Sequence, residues 1–446
     1  MKLQKKALLI EGPVAPTLAK LTLPMIVGIV AMMAFNLADT YFVGQLGTKE
    51  LAAMSFTFPV VMIISSLALG LGMGTSAVVA RAIGKGDHGE VQRLTTDALL
   101  LSLSVVAVAV VAGILTINPL FRLLGATEDI LPLIRQYMII WYPGVMAVII
   151  PMVGNNAIRA TGDTKTPSAV MLAAVAVNIL LDPVLIFGLG PFPRLELTGA
   201  AIATVFARAM AFAVSFWVLY KRDAMITFAP PMLSEVVDSW KRILFIGVPA
   251  AGTNMVVPVS AGIITRLVAN YGPEAVAGFG VATRVEMFSL TVVMALNSVI
   301  SPFVGQNWGA KKYDRVRSGM RYGQQFALGW GAAMFVLLLL FGKTVASLFN
   351  ADPAVIGAAA GYLAIVPIAY GCRGVQQIST TALNVLNKPL QASSITITQA
   401  FVIYIPCAYL GSALFGLRGI FGAAALSYLL AGGLAYAWLK KTLREA

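Results

Sequence analysis

Two carboxylates stand where carboxylates are expensive. Asp39 lies in Phe35-Asn36-Leu37-Ala38-Asp39-Thr40, more than two helical turns before Lys49, the nearest charged residue beyond it. Asp182 lies in Asn178-Ile179-Leu180-Leu181-Asp182-Pro183, inside another apolar run. An ionised side chain in hydrocarbon costs several kcal/mol, so each is a candidate for taking up and releasing a proton or a metal cation. Asn178 and Asp182 are four residues apart and share one helix face. Pro183 removes a backbone donor there and frees a carbonyl for a ligand. Tyr137 and the pair Asn155-Asn156 sit in a neighbouring apolar segment and could hydrogen-bond either carboxylate. The competing readings are structural: a snorkelling or hydrogen-bonded aspartate, a polar pair packing one helix on the next, and amides joining neighbouring helices.

Other chemistries lack their residues. A single histidine, His88, excludes sites built from several. Cys372 and Cys407 both fall in apolar segments, which argues against a structural disulfide and leaves no cysteine-rich metal site. Gly70-Leu71-Gly72-Met73-Gly74 lacks a preceding strand and a phosphate-binding lysine, so close helix packing explains it better than a nucleotide. No nucleophile–base pair is visible, so no enzyme activity and no cofactor are expected.

The elements that must position these groups are membrane helices. Hydrophobic residues make up 59% of the 446 positions and charged ones 11%, too few to coat a soluble particle of this length. Apolar runs of about 20 residues recur, enough to cross a bilayer as helix. Twelve are expected near 17–44, 52–80, 95–117, 131–155, 167–189, 198–220, 243–269, 276–304, 322–343, 356–384, 392–414 and 420–439, with longer connections near 81–94, 221–242 and 305–321. Glu11, Pro13 and Pro16 interrupt any signal-peptide core, so the first run is read as a retained helix. With both termini cytoplasmic, 22 of the 32 basic residues fall inside, Lys2, Lys5 and Lys6 among them, and 6 outside; Arg208, Arg266, Arg284 and Arg373 remain in helices. The net charge of +13 therefore addresses anionic lipid headgroups and not nucleic acid.

The chain also repeats itself. A shift of 225 residues pairs Pro24 with Pro249, Gly47 with Gly272, Ser76 with Ser301, Gly84 with Gly309, Tyr137 with Tyr362 and Ala157 with Ala382. Six helices per half give both halves the same orientation, as in parallel-repeat transporters, with the substrate path expected in the cleft between halves. The halves differ where it matters: Asp39 aligns with Ile264, Asn178 with Ile403 and Asp182 with Cys407. In the second half Arg284 and Glu286 do not share a face, and Arg373 lies with Gln376 and Gln377; a structural ion-pair network and a transport role both stay open there.

These residues carry a resemblance. Pro24 with the Asp39-Thr40 segment, Arg81-Ala82-Ile83-Gly84-Lys85-Gly86, Arg159-Ala160-Thr161-Gly162-Asp163 and Asn178 to Pro183 together resemble multidrug and toxic compound extrusion (MATE) transporters, specifically the prokaryotic branch similar to DNA-damage-inducible protein F. The resemblance covers nearly the whole chain. It implies an all-α integral membrane protein, twelve transmembrane helices in two pseudo-symmetric lobes: an N-lobe at 1–220, a cytoplasmic linker at 221–242 and a C-lobe at 243–446. It implies a monomer in the cell inner membrane that exports cationic or amphipathic drugs and toxins against protons, or sodium, by alternating access. It assigns cation coupling to Asp39 and Asp182, supporting and substrate-binding roles to Tyr137, Asn155, Asn178 and the weaker match Thr198, and a hinge to Pro24. The sodium-coupled branch carries a glutamate eight residues after the helix-7 proline, where this chain has Val257, and an acidic residue near Arg373. That departure favours protons. A lipid-linked oligosaccharide flippase of the same superfamily and a sodium-coupled drug antiporter are the alternatives.

Overall fold

The computed structural model describes residues 8–230 and 232–445. Lys2, Lys5 and Lys6 lie outside the described residues. The described residues form helices joined by non-helical connections and contain no strand, as expected where lipid offers backbone groups no partners. The helices are α1 (Val14–Gly44), α2 (Thr48–Lys85), α3 (His88–Leu123), α4 (Leu131–Ala160), α5 (Lys165–Phe187), α6 (Glu196–Arg222), α7 (Leu233–Ala269), α8 (Pro273–Gly309), α9 (Tyr313–Ser347) and α10 (Pro353–Val385). A last continuous run, Pro389–Arg444, makes eleven segments long and apolar enough to cross a membrane among the described residues. This run is two helices. Gly416 has φ 61° and ψ −144°, a conformation that only glycine adopts without strain, and it divides α11 (389–415) from α12 (417–444). Beside the break a Cβ on Gly411 would meet the Gly419 carbonyl oxygen at 2.5 Å, so the two backbones touch.

The fourth helix of each half is interrupted at matching places. α4 breaks at Val145, just after Pro143, and α10 passes through a 3-10 turn at Val366–Ala369 containing Pro367. Proline removes the donor that would continue the ladder, and both halves use it there.

Two expected connections are corrected. Residues 81–94 and 305–321 are mostly helix: α2 runs to Lys85, α3 starts at His88, α8 runs to Gly309 and α9 starts at Tyr313. These helices outrun their apolar stretches, and polar residues carry them on. Gly86 takes the left-handed turn that ends α2, and the Asp87 carboxylate accepts from the Glu90 N–H at 2.9 Å to start α3.

The chain forms two compact units. The first holds residues 23–251. Here α5 packs on α6, and a Cβ on Gly199 would come within 2.5 Å of the Leu185 carbonyl oxygen. α2 packs on α4 and α3, while its Gly70 and Gly74 face the backbone of α7 at Gly247 and Ile243. The start of α7 is fastened further by Trp240 Nε1–H donating to the Asp97 carbonyl at 3.0 Å and by Arg242 pairing with Glu90 at 3.0 Å.

The second unit holds residues 9–22 and everything described from 252 onward. Its core centres on Tyr362, whose ring meets those of Phe279 and Phe421 edge-on. The first described residues are tied into it. Leu9 N–H donates to Gln306 Oε1 at 3.0 Å, Asn307 Nδ2 donates to the Leu9 carbonyl at 3.1 Å, and Arg315 donates to the carbonyls of Gly12, Glu11 and Leu9. The unit boundaries thus cut α1 beside Pro24 and α7 beside Pro249, the two prolines paired by the repeat.

Candidate functional site

In the first unit α1, α4 and α5 bring four of the expected residues together, Asp39, Tyr137, Asn178 and Asp182. Asp182 is fully buried and Asp39 is 7% exposed. The two carboxyls lie within electrostatic reach of each other, and both reach the buried Tyr137. Asn178 Nδ2 donates to Asp182 Oδ1 at 3.2 Å, as their four-residue spacing requires. Three acceptors in the cluster have no hydrogen-bond partner: Asp39 Oδ1, Asp182 Oδ2 and Asn178 Oδ1. Unpaired buried acceptors cost about 1–3 kcal/mol each, more when charged. Such a set is satisfied by a bound proton or by a cation that takes several oxygens.

The other expected residues are placed differently. The Thr198 hydroxyl, near the start of α6, has no hydrogen-bond partner. Asn155 accepts from Ser215 Oγ at 3.0 Å and so joins α4 to α6; among the described residues no hydrogen bond ties it to the carboxylates. Asn156 is fixed by the Met152 carbonyl and by Arg159, whose Nη2 donates to its Oδ1 at 2.7 Å. Pro24 stands inside an unbroken α1.

One member of the cluster was not assigned from sequence. Arg208 of α6 lies within electrostatic reach of Asp39 and over the Phe35 ring, 4.9 Å from its centroid. It is the positive charge that bears on Asp39. The available signal was its isolation in an apolar helix, which demands a partner.

The second unit has a polar cluster of its own. Glu286 of α8 accepts from the Tyr362 hydroxyl through one oxygen and from Tyr428 at 3.0 Å through the other. Arg373 of α10 places Nε 3.5 Å from Glu286 and its guanidinium 4.4 Å from the Tyr428 centroid. Arg284 faces outward, so the two-residue spacing does separate it from Glu286. Tyr362 is the repeat partner of Tyr137. Each unit therefore sets the equivalent tyrosine near a buried carboxylate, and an arginine near that carboxylate and an aromatic ring. The pairing of Tyr137 with Tyr362 was visible in the sequence and could have pointed to Glu286.

The glycine-containing turns act locally. After α4, Asp163 accepts from the Thr166 N–H at 3.0 Å and from its hydroxyl at 2.6 Å, opening α5, and pairs with Arg222 at 2.6 Å. Burial works to raise the Asp163 carboxyl, but these hydrogen bonds and the Arg222 charge outweigh it and hold the group below the usual carboxylate range.

Two repeated helical halves, each with charged groups buried among aromatic rings, are the construction of a parallel-repeat membrane carrier. A family model described as MatE matches residues 24–184 and again 249–410, the same 225-residue step as the repeat. The chain is 40% identical to a protein of Shewanella oneidensis named FAD transporter, over 96% of this chain and 95% of that one. It is 27% identical to the probable multidrug resistance protein YoeA of Bacillus subtilis, over 94% and 93%. It superposes on the Vibrio cholerae MATE transporter VcmN, solved in the bent form, with a TM-score of 0.92, 31% identity and 97% of each chain covered. The chain belongs to the MatE family, the MATE transporters. It is a multi-pass membrane protein of a family of transporters, not of enzymes, with relatives in multidrug efflux.

Proposed function

We propose that this chain is a proton-coupled antiporter of the cell inner membrane that exports cationic or amphipathic aromatic compounds by alternating access. Asp39 and Asp182 carry the coupling, Tyr137 and Asn178 support them, and Thr198 and Asn155 extend the polar path. The observation behind this reading is the buried pair of carboxyls with one unpartnered oxygen each. In the ionised state the pair attracts a cationic substrate; protonation from outside cancels that charge and lets substrate leave. Coupling needs only that proton and substrate favour different states or compete for one site. The distribution of basic residues supports a cytoplasmic position for both termini. The lobes, expected at 1–220 and 243–446, alternate about the chain crossings beside Pro24 and Pro249 that bound the two compact units, and the working form is a monomer.

A second reading concerns the substrate. The 40%-identical relative is named for FAD, an anion with two aromatic ring systems. Arg208 of the first unit, which lies over the Phe35 ring, suits such a ligand. Both readings are tested in acid-interior proteoliposomes without sodium. Adding a cationic dye should release luminal protons as dye enters, and Asp39→Asn should abolish the release while leaving expression intact. Proton release on adding FAD but not dye selects the second substrate. Transport that runs only on a sodium gradient overturns the proton assignment. Response to no ion gradient, with complementation of a flippase-depleted strain, would turn the reading to a lipid-linked oligosaccharide flippase.

A further inference from the structure

The second unit contains a groove of about 650 Å³ between α9 and α12, floored by Cys372 and Val375 of α10. Its walls are mainly apolar, lined by Leu328, the Tyr436 ring and, nearer the charged end, Leu439, with the amides Gln324 and Gln325 on the α9 side. Two adjacent glycines open it. Gly432 presses α12 onto α10, where a Cβ would meet the Cys372 carbonyl at 2.6 Å; at Gly433 a Cβ would meet nothing within 4 Å. At the end of the groove the wall changes character. Arg317 and Arg321 from the first turns of α9 face Lys440 and Arg444 from the last turns of α12, and among the described residues no acidic side chain lines the groove. Arg317 is already committed, to Asp314 at 3.1 Å and to the Leu443 carbonyl at 3.0 Å. Lys440 lies over Tyr436, while Arg321 and Arg444 have no hydrogen-bond or ion-pair partner among the described residues.

Two like-charged, uncompensated guanidinium groups at the mouth of an apolar channel have one natural complement: an anion attached to a hydrocarbon chain. The position fits: Arg321 lies near the start of α9 and Arg444 ends α12, both in segments long and apolar enough to cross a membrane. We infer that this groove is a binding site for one anionic phospholipid, its phosphate held by Arg321 and Arg444 and one acyl chain lying past Gly433 against Leu328. Lys440 adds charge at the rim, and its stem covers the Tyr436 ring. The site lies within the second unit alone, and the inference does not depend on which ion drives transport.

The test is native mass spectrometry of the full chain in detergent, titrated with phosphatidylglycerol, with phosphatidylcholine of the same chains, and with inorganic phosphate. Phosphatidylglycerol should bind at least tenfold tighter than phosphatidylcholine. Arg321→Ala with Arg444→Ala should weaken it about 25-fold, near fivefold per basic group. The Gly433→Leu variant keeps every charge, places its side chain in open space, and should also lose the lipid. The charge-matched variant Lys241→Ala with Lys388→Ala should bind as the parent does. Equal loss in that variant would make the effect general surface charge and overturn the site. Displacement by millimolar inorganic phosphate would identify a soluble anion and overturn the lipid. Undiminished binding in Gly433→Leu would remove the groove from the account.

Discussion

Glu286 is the best-connected buried charge in the second unit, and its removal is a quantitative test of what holds that unit together. The Glu286→Gln variant keeps the shape and loses the charge. Two phenol donors then lose a charged acceptor, where each charge-assisted bond contributes about 1.5–3 kcal/mol. Arg373 loses its acidic partner while its side chain is 21% exposed, and breaking a buried pair typically costs about 3–5 kcal/mol. The effects overlap, so about 3–5 kcal/mol is the expected total. The unit spans roughly 200 residues, for which 1 kcal/mol moves a melting temperature by about 2–4 °C. Purified protein followed by tryptophan fluorescence should therefore melt about 6–20 °C lower. Arg373→Gln should cost a similar amount, since it strands the carboxylate. The double variant should recover at least about 1 kcal/mol relative to the sum, because neither charge is left alone. Single variants that shift melting by less than 2 °C and simply add would refute the argument, and would leave Glu286 and Arg373 free to serve transport.

Three further outcomes follow from the geometry. Asp163 is held below its ordinary range, so its stabilising contribution is full above the unfolded carboxylate value near pH 4 and fades as pH falls through the lower folded value; the parent should lose more melting temperature than Asp163→Asn between about pH 5 and pH 3, and parallel curves would dismiss the capping network. Gly199→Val drives side-chain atoms into the Leu185 carbonyl, and should destabilise the α5–α6 pair by more than about 2 kcal/mol or abolish detergent-stable protein, whereas near-parental melting would contradict the close packing. Pro24→Ala restores a backbone donor toward the Lys20 carbonyl, so α1 should stiffen: export should slow several-fold with melting held or raised, and unchanged export would end the hinge role.

The fold was legible because a membrane helix is specified by length and apolarity, and the repeat by its fixed step. The helix ends were not, since Arg81-to-Lys85 and Gln306-to-Gly309 look like connections until their tertiary partners are known. In the site, Asn178 and Asp182 could be joined by spacing alone, because four residues is a helical distance. Asp39, Tyr137 and Arg208 come from three helices, and no local pattern says that α1, α4 and α6 meet. Asn155 shows the converse: an amide near the right depth that faces Ser215. Glu286 and Arg373 are 87 residues apart in sequence and were left open for the same reason.

The bonds from Leu9 to Gln306 have a consequence for the order in which the protein is made. Those residues are separated by 297 positions. At about 5–20 residues per second the first segment waits some 15–60 s for its acceptors to be synthesised. The start of α7, by contrast, finds its partners on α2 and α3 already made and closes onto them at once. The nascent chain therefore finishes its first half by borrowing from its second, and its second by reaching back to its own beginning. Neither half is whole when expressed alone at the sequence midpoint, and cutting the gene there would separate both from pieces they need.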